Sequence, residues 1–175
     1  WWATWPAEQV RGTIVSDHAC YHFLFEDGFA PKSDATGRIS PPEMAPEIDA
    51  MIRRPSDLTA EEIAPFVHVQ PDELKRPFDF NDDLSHFRWA LATAQRYERI
   101  GLHLLGTKKP ELLLVYFEGT DSIAHLFGHL FRSPPLSGEL AEQQKRYGDA
   151  VEAMYLYADK ILGHFLDKID SDTTL

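Results

Sequence analysis

Apolar residues recur at three- and four-residue spacing in two long stretches of the chain, and this period predicts two amphipathic helices. The first is predicted to begin after Asn81-Asp82-Asp83, with an apolar stripe of Leu84, Phe87, Leu91, Ala94, Tyr97 and Ile100. The second is predicted from about Gly138 to Ile169, with a stripe of Tyr147, Val151, Met154, Ala158, Ile161, Phe165 and Ile169. Each stripe predicts one buried helix face.

Shorter patterns predict four smaller elements. Residues 10–16 contain a β-branched run and predict a short strand. A proline pair predicts a helix from Pro41 to about Arg54, and Thr59-Ala60-Glu61-Glu62 is a capping-box pattern that opens another. Residues 121–131 predict one or two helical turns.

Residues 112–117 (Leu-Leu-Leu-Val-Tyr-Phe) form a continuous apolar run of strand length. Such a run is typical of a strand covered on both faces, as in a parallel sheet between helices. This strand, the long helix after it and a further strand beginning within residues 170–175 make a β-α crossover unit. The pattern therefore predicts an α/β fold with a mostly parallel sheet flanked by helices.

The net charge and the cysteine content exclude several classes of binding partner and of metal site. The chain has 17 lysines and arginines against 28 aspartates and glutamates, a formal net charge of −11. This excess of carboxylates repels phosphate backbones and anionic lipid, so no nucleic-acid polymer is expected as a partner. Cys20 is the one cysteine, which excludes an internal disulfide and a cysteine-based metal cluster. No apolar run in the sequence approaches the roughly 18–20 residues of a membrane span.

Both ends of the chain differ from those of a typical domain. The sequence starts without an initiator methionine on the aromatic cluster Trp1-Trp2-Ala3-Thr4-Trp5, and it stops where a strand is predicted to start. We therefore expect an internal segment of a longer protein, and the absence of a signal peptide carries no information.

Asp121 and His125 are the sharpest candidate for chemistry. They lie four residues apart, directly after the predicted buried strand. This spacing lets a carboxylate oxygen and an imidazole nitrogen reach one ion, and ligand sites in open α/β sheets gather at the carboxyl ends of strands. The alternative is a solvated helix start, with Asp121 near the helix N-terminus.

Other candidate residues have simpler interpretations. Asp17 and His18 could ligate a metal, but a hydrogen-bonded aspartate at a strand end is the alternative. His129 would extend the Asp121-His125 face to three ligands, although helical drift of about 40° per four residues works against a common focus. The aromatic set Tyr21, Phe23 and Phe25 could cover a base or a lipid-like leaving group, but core packing under an insertion is the favoured interpretation. Cys20 is expected to be an inert thiol.

The segment Leu113–His125 (LLVYFEGTDSIAH) resembles the strand followed by Pro-Asp-x-x-Gly-His of the alkaline phosphatase superfamily, and most closely its type I phosphodiesterase/nucleotide pyrophosphatase branch. The helix after it is similar to that family's next helix. Residues 170–175 are similar to the lead into the family's Ser-Asp-His-Gly strand end, and residues 1–17 to a bacterial subset.

The resemblance implies a partial alkaline-phosphatase-like sandwich, truncated at both ends and carrying a helix-rich insertion. Residues 1–19 would be a core strand region, and residues 20–105 a helical and loop-rich insertion with a packing helix. Residues 106–175 would hold the core strand, the metal loop and the crossover helix.

The resemblance also implies a two-metal hydrolase, with zinc as the usual ion, that cleaves small phosphate or sulfate esters through a covalent Thr or Ser intermediate. Asp121 and His125 match a pair that holds one ion, whereas Thr120 and Ala124 replace the family's Pro and Gly. The nucleophile and the remaining metal ligands would lie outside this segment. It therefore has no assigned catalytic residue and should be inactive in isolation.

A second hypothesis is a non-catalytic, acidic, helical binding or scaffold domain whose negative charge suits a basic partner. Zinc titration separates the two. The sequence does not define the oligomeric state or the compartment, and export to the periplasm follows from the resemblance alone.

Overall fold

The computed structural model describes residues 5–19 and 36–174. The chain forms two compact units, unit 1 (Trp1–Arg54 and Gln95–Tyr116) and unit 2 (Pro55–Ala94 and Phe117–Leu175). The predictions for Cys20, Tyr21, Phe23 and Phe25 and for a strand reaching Leu175 involve positions outside the described residues.

Six α-helices have both ends within the described residues: α1 (Ala45–Asp49), α2 (Ala60–Ile63), α3 (Asp83–Lys108), α4 (Gly119–Phe127), α5 (Glu139–Tyr147) and α6 (Ala150–Leu166). Two short strands, β1 (Ile14–Val15) and β2 (Ile39–Ser40), precede them. Single 3₁₀ turns occur at Pro42–Met44, Pro55–Asp57 and Glu73–Lys75. Among the described helices, none combines the length and the apolar character needed to cross a membrane.

Unit 1 is built on a small antiparallel sheet. Ile14 of β1 lies opposite Ser40 of β2, and Val15 lies opposite Ile39, which confirms the strand predicted within residues 10–16. Its buried cluster joins β2, the turn after it, α1 and the C-terminal half of α3, and consists of Ala19, Ile39, Met44, Ile48, Ile100 and Leu104. The sheet and two helices therefore share one hydrophobic core.

Unit 2 is helical, with α4 packed against α6. Ile123 and Phe127 of α4 have no exposed surface, and the Phe127 ring stacks on Tyr147 of α5 with a centroid distance of 4.5 Å. The predicted capping box is present, since the Thr59 hydroxyl accepts from the Glu62 amide and the Glu62 carboxylate accepts from the Thr59 amide. The apolar stripe predicted for α3 is buried at Leu84, Phe87 and Leu91.

The helix predicted from Pro41 to about Arg54 is shorter than expected. A 3₁₀ turn leads into α1, which ends at Asp49. The amides of Met51 and Ile52 bond to carbonyls three residues back, at 3.0 and 3.1 Å. Bonds of this 3₁₀ type tighten and close a helix end, so α1 stops before Pro55 is reached.

The prediction of one continuous helix from Gly138 to Ile169 was wrong. Helices α5 and α6 occupy this range and are separated at Gly148-Asp149. Glycine and aspartate are both weak helix formers, and they are adjacent here. The apolar stripe is nevertheless buried on both sides of the break, at Tyr147, Val151, Met154, Ile161 and Phe165.

The described residues form no parallel sheet, and residues 112–118 contain neither helix nor strand. Their burial alternates, with Leu112, Leu114 and Tyr116 exposed and Leu113 and Val115 partly buried. Such alternation fits a strand with one covered face, but a strand also needs a hydrogen-bonding neighbour. The structure is thus α/β with a small antiparallel sheet, and the flanked parallel sandwich and its three-part division remain predictions.

Candidate functional site

The candidate site lies on α4, where residue spacing divides the helix into a buried and an exposed face. Gly119, Ile123 and Phe127 recur every four residues and are buried. Asp121 and His125 are offset from them by two residues, which is about 200° around a helix. Their side chains are therefore exposed, at 71% for Asp121 and 81% for His125.

The two side chains converge. Asp121 Oδ1 lies 3.5 Å from His125 Nε2. Two ligands of a tetrahedral zinc ion, each about 2.0–2.1 Å from the metal, lie roughly 3.4 Å apart. The oxygen and nitrogen thus have the spacing, and the chemistry, of two ligands to one ion. Sequence reasoning predicted this convergence from four-residue spacing on a helix.

The local charge of α4 also suits the pair. Asp121 lies in the first turn and His125 in the last, positions where the helix dipole favours a negative and a positive group, respectively. The ends of α4 therefore favour contact between this carboxylate and this imidazole in the absence of metal. That contact is the solvated-helix alternative, and it involves the same two atoms that would bind a metal.

A complete metal site is not formed by the described residues. They contain no group of three or more His, Cys, Asp or Glu side chains arranged to hold an ion. His129, considered as a third ligand, is exposed and lies beyond the end of α4 at Phe127. The structure agrees with the favoured interpretation of His129 as a packing or surface histidine, because the helix that would have aligned it with Asp121 and His125 ends before it.

Asp17 and His18 have other contacts. Asp17 Oδ1 accepts a hydrogen bond from the His18 amide at 2.8 Å, as expected for a hydrogen-bonded aspartate at a strand end. The His18 ring stacks on Trp5, with centroids 4.7 Å apart and planes 10° from parallel. Packing between two rings accounts for the histidine without a metal.

Unit 2 also contains a polar cleft of about 600 Å³ that sequence reasoning missed. Its walls include Glu73, Asp82, Arg146 and Tyr147, and Arg146 pairs with Glu73 at 2.8 Å. Burial raises the pKa of Tyr147 to about 12, with Asp82 contributing in the same direction and Arg146 opposing it. No local pattern signals this cleft, because its walls come from separate segments of the chain.

Comparison with known proteins identifies the family. The model of the type I phosphodiesterase / nucleotide pyrophosphatase family matches residues 1–175. The chain therefore belongs to this family, as the resemblance of Leu113–His125 predicted. No curated protein and no solved structure matches it.

Membership defines the class of activity. The family implies a hydrolase of the phosphodiesterase or pyrophosphatase type. It acts on small phosphodiester substrates and is metal-dependent in general. These properties concern the family as a whole.

Proposed function

We propose that this chain supplies one metal-ligand pair, Asp121 and His125, to a two-metal hydrolase of small phosphate or sulfate esters. Zinc is the proposed ion. The observation that carries the proposal is the 3.5 Å separation of Asp121 Oδ1 and His125 Nε2 on the exposed face of α4. Family membership supports it, because the family is metal-dependent in general and Leu113–His125 resembles the family's Pro-Asp-x-x-Gly-His element.

The two side chains would perform different tasks in binding. Asp121 would contribute a carboxylate oxygen, whose negative charge offsets part of the ion's charge, whereas His125 would contribute an imidazole nitrogen. When bound, the ion would polarise the ester phosphate or sulfate group and stabilise charge that develops on its oxygens.

The pair provides two of the four ligands that a protein zinc site usually has. Under this proposal the other ligands, the second ion's site and the Thr or Ser nucleophile lie outside this 175-residue segment. The chain alone should therefore bind zinc weakly and hydrolyse no ester. The geometry of α4 supports a ligand-presenting helix and not a complete active centre.

The first test is isothermal titration of the chain with zinc chloride, comparing wild type with Asp121→Ala and His125→Ala. We expect weak saturable heat in the wild type that is lost in both variants. Asp159→Ala, which removes an exposed carboxylate from α6, is the matched control and should titrate as wild type does. Equal titration of all four proteins would reject the metal pair and favour the acidic scaffold.

A further inference from the structure

The first residue of α4 lies close to α6. Gly119 is buried, and a β-carbon placed on it would lie 3.2 Å from Met154 Sδ and 3.7 Å from Ala94 Cβ. Ordinary contacts between such atoms have their optimum at about 3.5–4.0 Å. Met154 is 2% exposed, so it is enclosed by neighbours and has little space into which to retreat.

The close approach occurs at one end of the helix. Gly119 begins α4, while Ile123 and Phe127 hold its second and third turns with no exposed surface. A side chain on Gly119 would therefore displace the first turn more than the rest. Asp121 lies in that first turn and His125 lies one turn further along, so the displacement would change the separation of their ligand atoms.

We infer that Gly119 is a positioning residue for the metal pair: the absence of a side chain lets the first turn of α4 settle on Met154 and brings Asp121 to His125. The inference rests on the proposed function, since it assigns Gly119 a role toward the same ion. Gly119 does not touch the ion. It acts through the position of Asp121.

The test uses the 175-residue chain and zinc chloride, with the ring ¹⁵N signals of His125 followed by NMR. Gly119→Ala should raise the zinc dissociation constant by roughly tenfold, the lower end of the effect of supporting residues around metal ligands. Gly163→Ala, at a helical glycine of α6 with no neighbour within 4 Å of an added β-carbon, should leave the constant within twofold of wild type.

Rescue distinguishes positioning from a general loss of stability. Met154→Ala should destabilise unit 2 but leave zinc affinity within twofold of wild type, because it obstructs nothing at Gly119 and the buried Ile123 and Phe127 still hold α4 in place. Adding Gly119→Ala to Met154→Ala should then cost no further affinity, since the new methyl group occupies vacated space. If Gly119→Ala alone does not fold, the double variant provides the test. The inference is overturned if the double variant binds zinc more weakly than Met154→Ala does.

The metal-free protein provides a reading that is independent of zinc. The change that Asp121→Asn causes in the His125 ring signals measures the contact between the pair, and it should be smaller in Gly119→Ala than in the wild-type background. The positioning role is overturned if Asp121→Asn changes the His125 ring signals equally in the wild-type and Gly119→Ala proteins. It is also overturned if these two proteins have equal zinc dissociation constants. If zinc does not change the His125 ring signals of the wild type, the proposed function is rejected instead. The comparison made without metal then still tests the role of Gly119.

Discussion

Asp121 and His125 contact each other where water screens their charges. Both side chains are more than two-thirds exposed, at 71% and 81%, and exposed pairs at four-residue spacing stabilise helices by only about 0.3–0.5 kcal/mol. The contact between Asp121 and His125 therefore contributes little to the free energy of folding. Stability and metal binding should separate when the pair is changed.

Asp121→Asn should lower the free energy of unfolding by less than about 0.5 kcal/mol, because only the exposed contact between the Asp121 carboxylate and the His125 ring is lost. Urea unfolding followed by circular dichroism measures it. Ile123→Ala, on the buried face of the same helix with no exposed surface, should cost about 2–5 kcal/mol. A larger cost for Asp121→Asn than for Ile123→Ala would mean that the pair is structural.

Tyr147 is the residue whose protonation is most clearly tied to folding. It is 5% exposed, and burial raises its pKa from 10.0 to about 12 in the folded chain. In the unfolded chain the hydroxyl titrates near its ordinary value. Burial of the neutral Tyr147 hydroxyl therefore contributes its full share of the free energy of unfolding below pH 10. This contribution is lost as the pH rises toward 12.

Tyr147→Phe should reduce the loss of stability between pH 9.5 and 11.5 by about 1–2 kcal/mol, since one pKa unit corresponds to about 1.4 kcal/mol. Urea midpoints at the two pH values measure the difference. Tyr155→Phe, at an exposed tyrosine of α6, is the matched control and should follow wild type. A Tyr147→Phe profile that parallels wild type would contradict the assignment.

At the scale of elements, the side chain of Gln144 ties α5 to the loop before it. Its amide nitrogen lies 2.7 Å from Ser133 Oγ and 3.1 Å from the Ser133 carbonyl oxygen. Its amide oxygen accepts from the Leu136 amide at 3.1 Å. One side chain thus satisfies several polar groups of a loop whose two prolines supply no backbone N–H.

Gln144→Ala should lower the free energy of unfolding by about 1–3 kcal/mol, because these hydrogen bonds are lost together. Amide hydrogen exchange should rise at Leu136, whose donor loses its acceptor. Gln143→Ala removes the neighbouring amide side chain and serves as the control. Exchange at Leu136 that is the same in both variants would show that the loop holds its form without Gln144.

At the scale of the whole molecule, the dominant electrostatic property is the net charge of −11. Like charges in one compact chain repel, and this repulsion opposes folding. Salt shortens its reach, from about 30 Å at 0.01 M to about 8 Å at 0.15 M ionic strength. The stability of this chain at neutral pH should therefore depend on salt.

Raising NaCl from 0.01 to 0.15 M at pH 7 should increase the melting temperature, by about 2–4 °C per kcal/mol of repulsion that is screened. The same change near the isoelectric point of about 5.1 should have a smaller effect, because little net charge remains. Calorimetry at both pH values measures it. A salt effect that is equal or larger at the lower pH would contradict this account.

The candidate site was predictable as far as local geometry defines it. Four-residue spacing places Asp121 and His125 on one face of any helix, and the structure separates their ligand atoms by 3.5 Å. The contact of Gly119 with Met154 was not predictable, because these residues are 35 positions apart and meet only when α4 packs on α6. The cleft beside Tyr147 was missed for the same reason.

Local patterns in the sequence were enough to predict the faces of the helices, the capping box at Thr59, the strand at Ile14–Val15 and the family, because each depends on residues within a few turns or on a contiguous motif. Tertiary packing was needed to show that residues 112–118 form no ladder with the described residues. Strand pairing requires hydrogen bonds from another segment of chain, and no apolar run specifies that segment by itself.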